Sequence, residues 1–154
     1  MDWIQHLKPA ASFPAEATLQ VAAVYQDPPG RKRAAALCHR VSQMMGHSAI
    51  VSQLWSYAEL HQPDIFSQAV SAAVLADVLV ISAQAGESCP AVLSTWVEAW
   101  SARRQRREGT LIALMSVSAG QSGVQWEKME AYLRAVARRN RLDFLLREQA
   151  TTKP

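Results

Sequence analysis

Val78-Leu79-Val80-Ile81 is one of two stretches that decide the fold of this chain, and Leu111-Ile112-Ala113-Leu114-Met115 is the other. Both are continuously apolar, whereas a strand with one face in water would alternate polar and apolar residues. Continuous runs of this length are typical of parallel strands buried on both faces of a sheet. With three further short runs, the sequence predicts strands over residues 19–25, 49–55, 78–82, 111–117 and 143–146. The polar residues of the second run and the brevity of the fifth predict that these two strands lie at the edges.

Four helical patterns separate these strands, because apolar residues recur there every three or four positions. Pro63 and Pro90 suit the first turns of the second and third helices, and Ser122 with Gln125 has the spacing of a capping box for the fourth. Alternating strands and helices with short links predict a parallel sheet with right-handed crossovers. The fold class expected is therefore a three-layer α/β/α, doubly wound, five-stranded parallel sheet of the flavodoxin-like type, with strand order 2-1-3-4-5.

The chain of 154 residues has the length of one domain, which we expect to span residues 19–148. Residues 1–18 fall outside the strand–helix pattern and are expected to form an N-terminal arm, since Pro9 and Pro14 oppose one continuous helix. Trp3 and Phe13 would let this arm pack on the domain or on a second copy of it. Residues 149–154 are expected to form a loose C-terminal tail.

Composition excludes several classes of protein. Hydrophobic residues make up 49% of the chain and charged residues 19%, which is too apolar for disorder. No apolar run approaches the ~18 residues of a membrane span, and an N-terminus with Asp2 and no continuous apolar core argues against a signal peptide. A cytoplasmic location is the resulting expectation. Cys38 and Cys89 are too few for a disulfide framework and lack metal-ligand spacing, so no metal site is expected.

Arginine clusters carry much of the positive charge, although the net charge is only +3. The clusters at 103–107 and 138–141 lie where the third and fourth helices are expected to end, and cations are favourable at helix C-termini. We therefore expect solvated helix ends. Contact with nucleic acid or a membrane through these arginines is a weaker, third interpretation.

A ligand site in this fold would lie beyond the carboxyl ends of the strands, where the winding reverses between strands 1 and 3. The loops at 26–30, 83–89 and 118–122 meet at that edge, and residues 56–59 flank it. The candidate ligand-binding residues are Gln26, Asp27, Gly30, Arg31, Ser82, Gln84, Glu87, Ser88, Cys89, Ser118, Gln121 and Ser122. The candidate interface residues are Trp3, Phe13, Trp55 and Tyr57.

The first of these loops is poorly suited to phosphate. A phosphate cradle needs free backbone N–H groups at a helix N-terminus, whereas Pro28 and Pro29 each delete one donor and Asp27 adds a repelling charge. Cys89 precedes a predicted helix, where a thiol pKa can fall, but the loops expected at this edge supply no histidine base unless His61 folds over. We therefore interpret Cys89 as a half-buried residue at the helix start, and no catalytic residue is assigned.

The strand order resembles that of the receiver domain of bacterial response regulators. In that family an acidic pair follows strand 1, a phosphoacceptor aspartate follows strand 3, a hydroxyl residue follows strand 4 and a lysine follows strand 5. Asp27 matches one acid and Ser116 matches the hydroxyl residue, but no aspartate stands at 82–84 and no lysine ends strand 5. The resemblance thus implies a relative that lacks both the Mg²⁺ site and the phosphorylated residue.

A second resemblance, over about 25 residues, is to flavodoxin-like NAD(P)H:quinone and FMN reductases. It rests on Ala76-Asp77 before the apolar strand, Cys89-Pro90 after it, and Trp96 in the next helix. In that family the intervening loop lies along the flavin ring. Here 84–88 holds no aromatic residue, and Ser94 stands where the family has lysine. With Leu54-Trp55 and Trp100, the same layout looks like that of a group of short bacterial proteins, a likeness that carries no activity.

Two functions remain open from these patterns. The first is a binding or regulatory module without catalytic residues and without a cofactor, acting through contacts with a protein partner or a second copy. The alternative is an FMN-dependent NAD(P)H oxidoreductase with an unusual phosphate loop. Bound flavin would distinguish them.

Overall fold

The computed structural model describes residues 18–45, 49–84, 89–104, 108–117 and 127–150. Its five strands are all parallel and lie in the order β2-β1-β3-β4-β5, which confirms the predicted three-layer α/β fold. In chain order the elements are β1 Thr18–Tyr25, α1 Pro28–Met45, β2 Ala49–Ser56, a 3₁₀ turn Glu59–His61, α2 Pro63–Leu75, β3 Val78–Gln84, α3 Ala91–Arg103, β4 Gly109–Val117, α4 Glu127–Arg139 and β5 Leu142–Ala150.

Strand β5 is longer than the sequence predicted. It has nine residues and reaches Ala150, within the segment expected to be a tail. The reason is its register, because β5 pairs with β4 along its whole length, from Gly109↔Leu142 to Val117↔Ala150. An edge strand needs only one buried face, and exposed residues such as Asp143 and Arg147 interrupt the continuous apolar run by which a buried strand is recognised. The capping box predicted at 122–125 lies outside the described residues.

Alternate residues of each strand face opposite helical layers. On one side α1 packs against residues such as Val21, Val80 and Ile112. On the other side α2, α3 and α4 form the larger core, which holds Trp96 and Trp100 with no exposed surface. The two indole rings meet edge to face, with centroids 5.8 Å apart, a favourable arrangement for aromatic pairs. Both are therefore core residues.

The edge of the sheet where the strands begin is closed by Asp77. Its Oδ2 accepts a hydrogen bond from the Gln20 backbone N–H at 2.9 Å. Its own N–H donates to the Gln20 carbonyl at 2.8 Å, and its carbonyl accepts from the Thr110 N–H at 3.0 Å. Asp77 therefore ties together the starts of β1, β3 and β4, at the end of the sheet opposite to the expected ligand site.

Arg104 at the end of α3 corrects the expectation that its cluster is solvated. Its side chain is only 2% exposed, and its guanidinium donates to the Ala73 carbonyl at 2.8 Å and the Glu108 carbonyl at 3.2 Å. These carbonyls lie near the end of α2 and just before β4, where regular secondary structure leaves acceptors unsatisfied. Arg103 and Arg138 are exposed in the last turns of α3 and α4, as predicted.

Candidate functional site

The carboxyl ends of β1 and β3 lie side by side, with Tyr25 paired to Ser82 and also to Ser56 of β2. This register brings the residues that follow β1 against the end of β3, as the sequence predicted. The elements that meet there are the start of α1, the end of β3 and the turn after β2. The site is therefore built around Asp27, Gly30, Tyr57 and Ser82.

Asp27 caps α1 at this edge. Its Oδ1 accepts a hydrogen bond from the Gly30 N–H at 2.9 Å, and its carbonyl accepts from the Arg31 N–H at 3.0 Å. Pro28 and Pro29 have no N–H group. Of the first four residues of α1, two are prolines without an N–H group, and the N–H groups of the other two already donate to Asp27. A helix N-terminus in this state has no backbone N–H left for an anion.

Gly30 lies directly against β3. A Cβ atom at this position would be 2.8 Å from Ser82 Oγ and 3.0 Å from Asp27 Oδ1, closer than side chains normally approach. Ser82 itself is buried at 1% exposure. The start of α1 therefore sits on the end of β3 at the place where a ligand of this fold would enter.

Tyr57 fills the other side of the same edge. Its hydroxyl donates to the Ser82 carbonyl at 3.0 Å, and its backbone N–H donates to the Tyr25 carbonyl at 2.9 Å. Burial raises the pKa of the Tyr57 phenol far above its usual range, with smaller contributions from Cys89 and Asp27, whose charged forms repel a phenolate. Tyr57 is therefore a neutral hydrogen-bond donor that holds the turn after β2 onto β3.

Trp55 and Tyr57, two of the candidate interface residues, are buried. They are 8% and 7% exposed and belong to the larger core. The chain after β2 turns back across the end of the sheet, because Ser56 and Glu59 exchange hydrogen bonds: Glu59 N–H to Ser56 Oγ at 3.1 Å, and Ser56 N–H to Glu59 Oε1 at 2.8 Å. This reciprocal pair has the S-x-x-E pattern of a capping box, a signal that the sequence carried and that predicts the turn.

Arg31 is an exposed cation at this site. Its guanidinium donates to the Tyr25 hydroxyl at 3.1 Å and lies over the Tyr25 ring, 5.6 Å from the centroid. A cation over an aromatic face is held by the ring quadrupole. Arg31 is thus positioned by Tyr25 at the rim of the edge, where it faces solvent.

Cys89 stands just before α3 and is half-buried, as expected. Burial raises the pKa of its thiol, and this effect outweighs a hydrogen bond from the Ser94 backbone that favours the thiolate. A thiol with a raised pKa is protonated at neutral pH and is a weak nucleophile. Cys89 therefore packs against the larger core without features of an activated nucleophile.

Several predicted site residues are not placed by these contacts. Gln26 directly follows β1 and is half-buried, and Gln84 ends β3, paired with Ser116 of β4.

Within the described ranges, no group of three histidine, cysteine or acidic residues is arranged to hold a metal ion. No helix in that part of the chain is long and apolar enough to cross a membrane. The predicted residues outside the described part are Trp3, Phe13, Glu87, Ser88, Ser118, Gln121 and Ser122.

A groove that the sequence did not predict lies between α1 and the edge strand β2. Its volume is about 270 Å³, and it opens to solvent. The helix contributes residues at i, i+3, i+4 and i+7, and the strand contributes alternate residues, as expected of one helix face and one strand face. The lining residues are Ala35, Cys38, His39, Ser42, Ile50, Ser52 and Leu54.

Comparison with known proteins gives a likeness in fold only. No family model matches the chain, and no curated protein sequence matches it. Among solved structures, an oxidoreductase from Corynebacterium diphtheriae is similar, with a TM-score of 0.57 and 17% sequence identity, over 85% of this chain and 79% of that one. This similarity agrees with a flavodoxin-like arrangement of the five parallel strands.

Proposed function

We propose that this chain is a binding module of flavodoxin-like fold that has no catalytic activity and acts through contacts with another protein. The observation that carries the proposal is the occupied N-terminus of α1. Asp27 takes the Gly30 and Arg31 donors, and Pro28 and Pro29 supply none. A nucleotide cofactor in this fold relies on that helix start for its phosphate.

The remaining chemistry of the edge supports the same proposal. The phenol of Tyr57 and the thiol of Cys89 both have raised pKa values, so neither is prepared for proton transfer or nucleophilic attack near neutral pH. Ser82 is buried beneath Gly30 and is not available to a substrate. The described edge therefore behaves as packed structure, and recognition of a partner would use other surfaces.

A flavin-dependent oxidoreductase is the second candidate, and the structural likeness to an oxidoreductase favours it. One part of the sequence resemblance to reductases has a structural explanation, because Asp77 ties strand starts at the opposite end of the sheet. A flavin phosphate would have to be bound without the α1 amides. Arg31, held against Tyr25 at the start of α1, is a cation available for that role.

Absorbance of the purified full chain tests the proposal directly. We expect a colourless protein and no saturable quenching of FMN fluorescence on titration. A control variant, Arg31→Ala, should behave identically, since no phosphate is bound. Flavin retained in stoichiometric amount, or micromolar FMN affinity that Arg31→Ala weakens, would overturn the proposal and establish the oxidoreductase reading.

A further inference from the structure

The free side of β2 lacks the usual protection of an edge strand. Among the described strands β2 pairs only with β1, and none of its eight residues is charged. Val51 is 44% exposed, and Ser52 and Gln53 are exposed as well. Proteins commonly block such edges with charges, prolines or bulges, because unpaired backbone groups there invite another strand. The described residues leave this edge open to another strand.

The groove between α1 and β2 lies beside the same edge. Ile50, Ser52 and Leu54 project into it from the strand, while Val51 and Gln53 project from the opposite face. An extended segment paired to β2 would also alternate its side chains, and every second one would point toward α1, into the groove. Main-chain pairing with a pocket for alternate side chains is how sheet-edge recognition combines affinity with specificity.

The charge of α1 indicates which extended segments would bind beside β2. The first turns of the helix carry Arg31 and Lys32, both exposed, and the helix contains no acidic residue. A second copy paired antiparallel through β2 would place its own cationic α1 on the same face, so the two helices would repel. A segment with acidic flanks would instead be attracted.

We propose that the β2 edge and the adjoining groove form a docking site for an extended segment of a partner protein, uncharged and alternately apolar at its centre and acidic at its flanks. This inference rests on the proposed function as a binding module and names its recognition surface. Binding adds a sixth strand beside β2, with one apolar side chain in the groove lined by Cys38 and Ser52.

A library of short random peptides, selected on the full chain, provides the probe. We expect the enriched peptides to share an uncharged centre and acidic flanks. Their affinity should fall as salt rises, since the charges involved are exposed. Hydrogen exchange with bound peptide should show new protection of backbone amides in 49–56. A library that yields no binding peptide, or one whose peptides protect another segment, would overturn the proposal.

Ser52→Tyr and Gln53→Tyr are matched variants, because they add the same bulk to neighbouring exposed residues on opposite faces of β2. Ser52→Tyr should raise the Kd of the selected peptide by about tenfold or more, which corresponds to about 1.4 kcal/mol. Gln53→Tyr should change its affinity by about twofold at most. Equal binding to both variants would contradict docking in the groove.

A dimer of the unmodified chain in sedimentation, dissociated by Ser52→Tyr, would show that a second copy occupies the edge. Each of these outcomes leaves the FMN titration unchanged, so failure of this inference is distinguishable from failure of the proposed function.

Discussion

Gly30 in the first turn of α1 lies so close to Ser82 of β3 that a Cβ atom at position 30 would be 2.8 Å from the Ser82 hydroxyl oxygen. The contact joins the start of the first crossover helix to the central part of the sheet, at the place where this fold usually leaves space for a ligand. The φ angle of Gly30 is not in the left-handed region, so backbone conformation does not require glycine at this position. The close approach to β3 does. The packing of α1 against β3 thus fills this space.

Gly30→Ala tests that contact. The added methyl group should destabilise the fold by about 1–3 kcal/mol, as overpacking does. Ser82→Ala removes the hydroxyl and leaves Ser82 Cβ as the nearest atom of that residue, at 3.7 Å from the new methyl group. The double variant should therefore recover the part of the loss that is due to Ser82, while the approach of the new methyl group to Asp27 Oδ1, at 3.0 Å, remains. Urea unfolding of all four proteins measures the coupling, and additive effects of the two substitutions would contradict the contact.

Alkaline pH should act on Tyr57. Because its folded-state pKa is raised above the ordinary value of about 10, the folded protein holds the phenolic proton more tightly than the unfolded chain does. The associated stability is complete below about pH 10 and is lost as the pH rises further. Tyr57→Phe should lower stability at neutral pH by about 1 kcal/mol through loss of the hydrogen bond to Ser82, and should flatten the decline above pH 10. Thermal melts of both proteins between pH 7 and 11 provide the measurement, and parallel pH curves would refute the assignment.

The sequence predicted the sheet well because Val78–Gln84 and Gly109–Val117 form the interior of the fold, where continuous apolar runs reflect burial on both faces. It failed where burial depends on tertiary contacts. Trp55 lies near the end of an edge strand and was a candidate interface residue, yet it is buried, and the Ser56–Glu59 turn folds the next segment over the sheet. Arg104 belongs to a run of arginines that is typical of a solvated helix end, and its burial is explained only by the backbone carbonyls of Ala73 and Glu108, to which it donates.

Part of the site could also be predicted from the sequence. Convergence of Asp27, Gly30 and Ser82 follows from strand order alone, and the structure bears it out. The missing phosphate donors could also be inferred from Pro28 and Pro29. The groove at β2 could not be, because it depends on how far α1 leaves the edge strand uncovered, which local pattern does not specify.

Arg141, in the tight link between α4 and β5, has a φ of 59°, the one positive φ among the described non-glycine residues. A left-handed residue after a helix is usually glycine, since a Cβ there costs about 1–2 kcal/mol. Arg141→Gly should therefore stabilise the protein by about 1 kcal/mol in urea unfolding. Arg138→Gly is the control: it lies within the last turn of α4 and should destabilise by about 1 kcal/mol. Destabilisation by both variants would show that the Arg141 side chain contributes more than its backbone strain costs.

Arg104 should be the most sensitive of the arginines at the end of α3. Its buried guanidinium donates to the Ala73 and Glu108 carbonyls, and a Cβ atom at Gly109 would lie 2.6 Å from its Nη2. Arg104→Ala would remove these charge-assisted hydrogen bonds and leave the Ala73 carbonyl with only the Ala76 N–H, at 3.3 Å, so we expect a loss of about 3 kcal/mol in the free energy of unfolding. Arg104→Lys should recover only a fraction, because a single ammonium cannot reach carbonyls on two sides. Arg103→Ala, one residue earlier and exposed, should change stability by less than about 0.5 kcal/mol. Equal effects of Arg103→Ala and Arg104→Ala in urea unfolding would mean that Arg104 is solvated and that its bonds to the two carbonyls do not stabilise the fold.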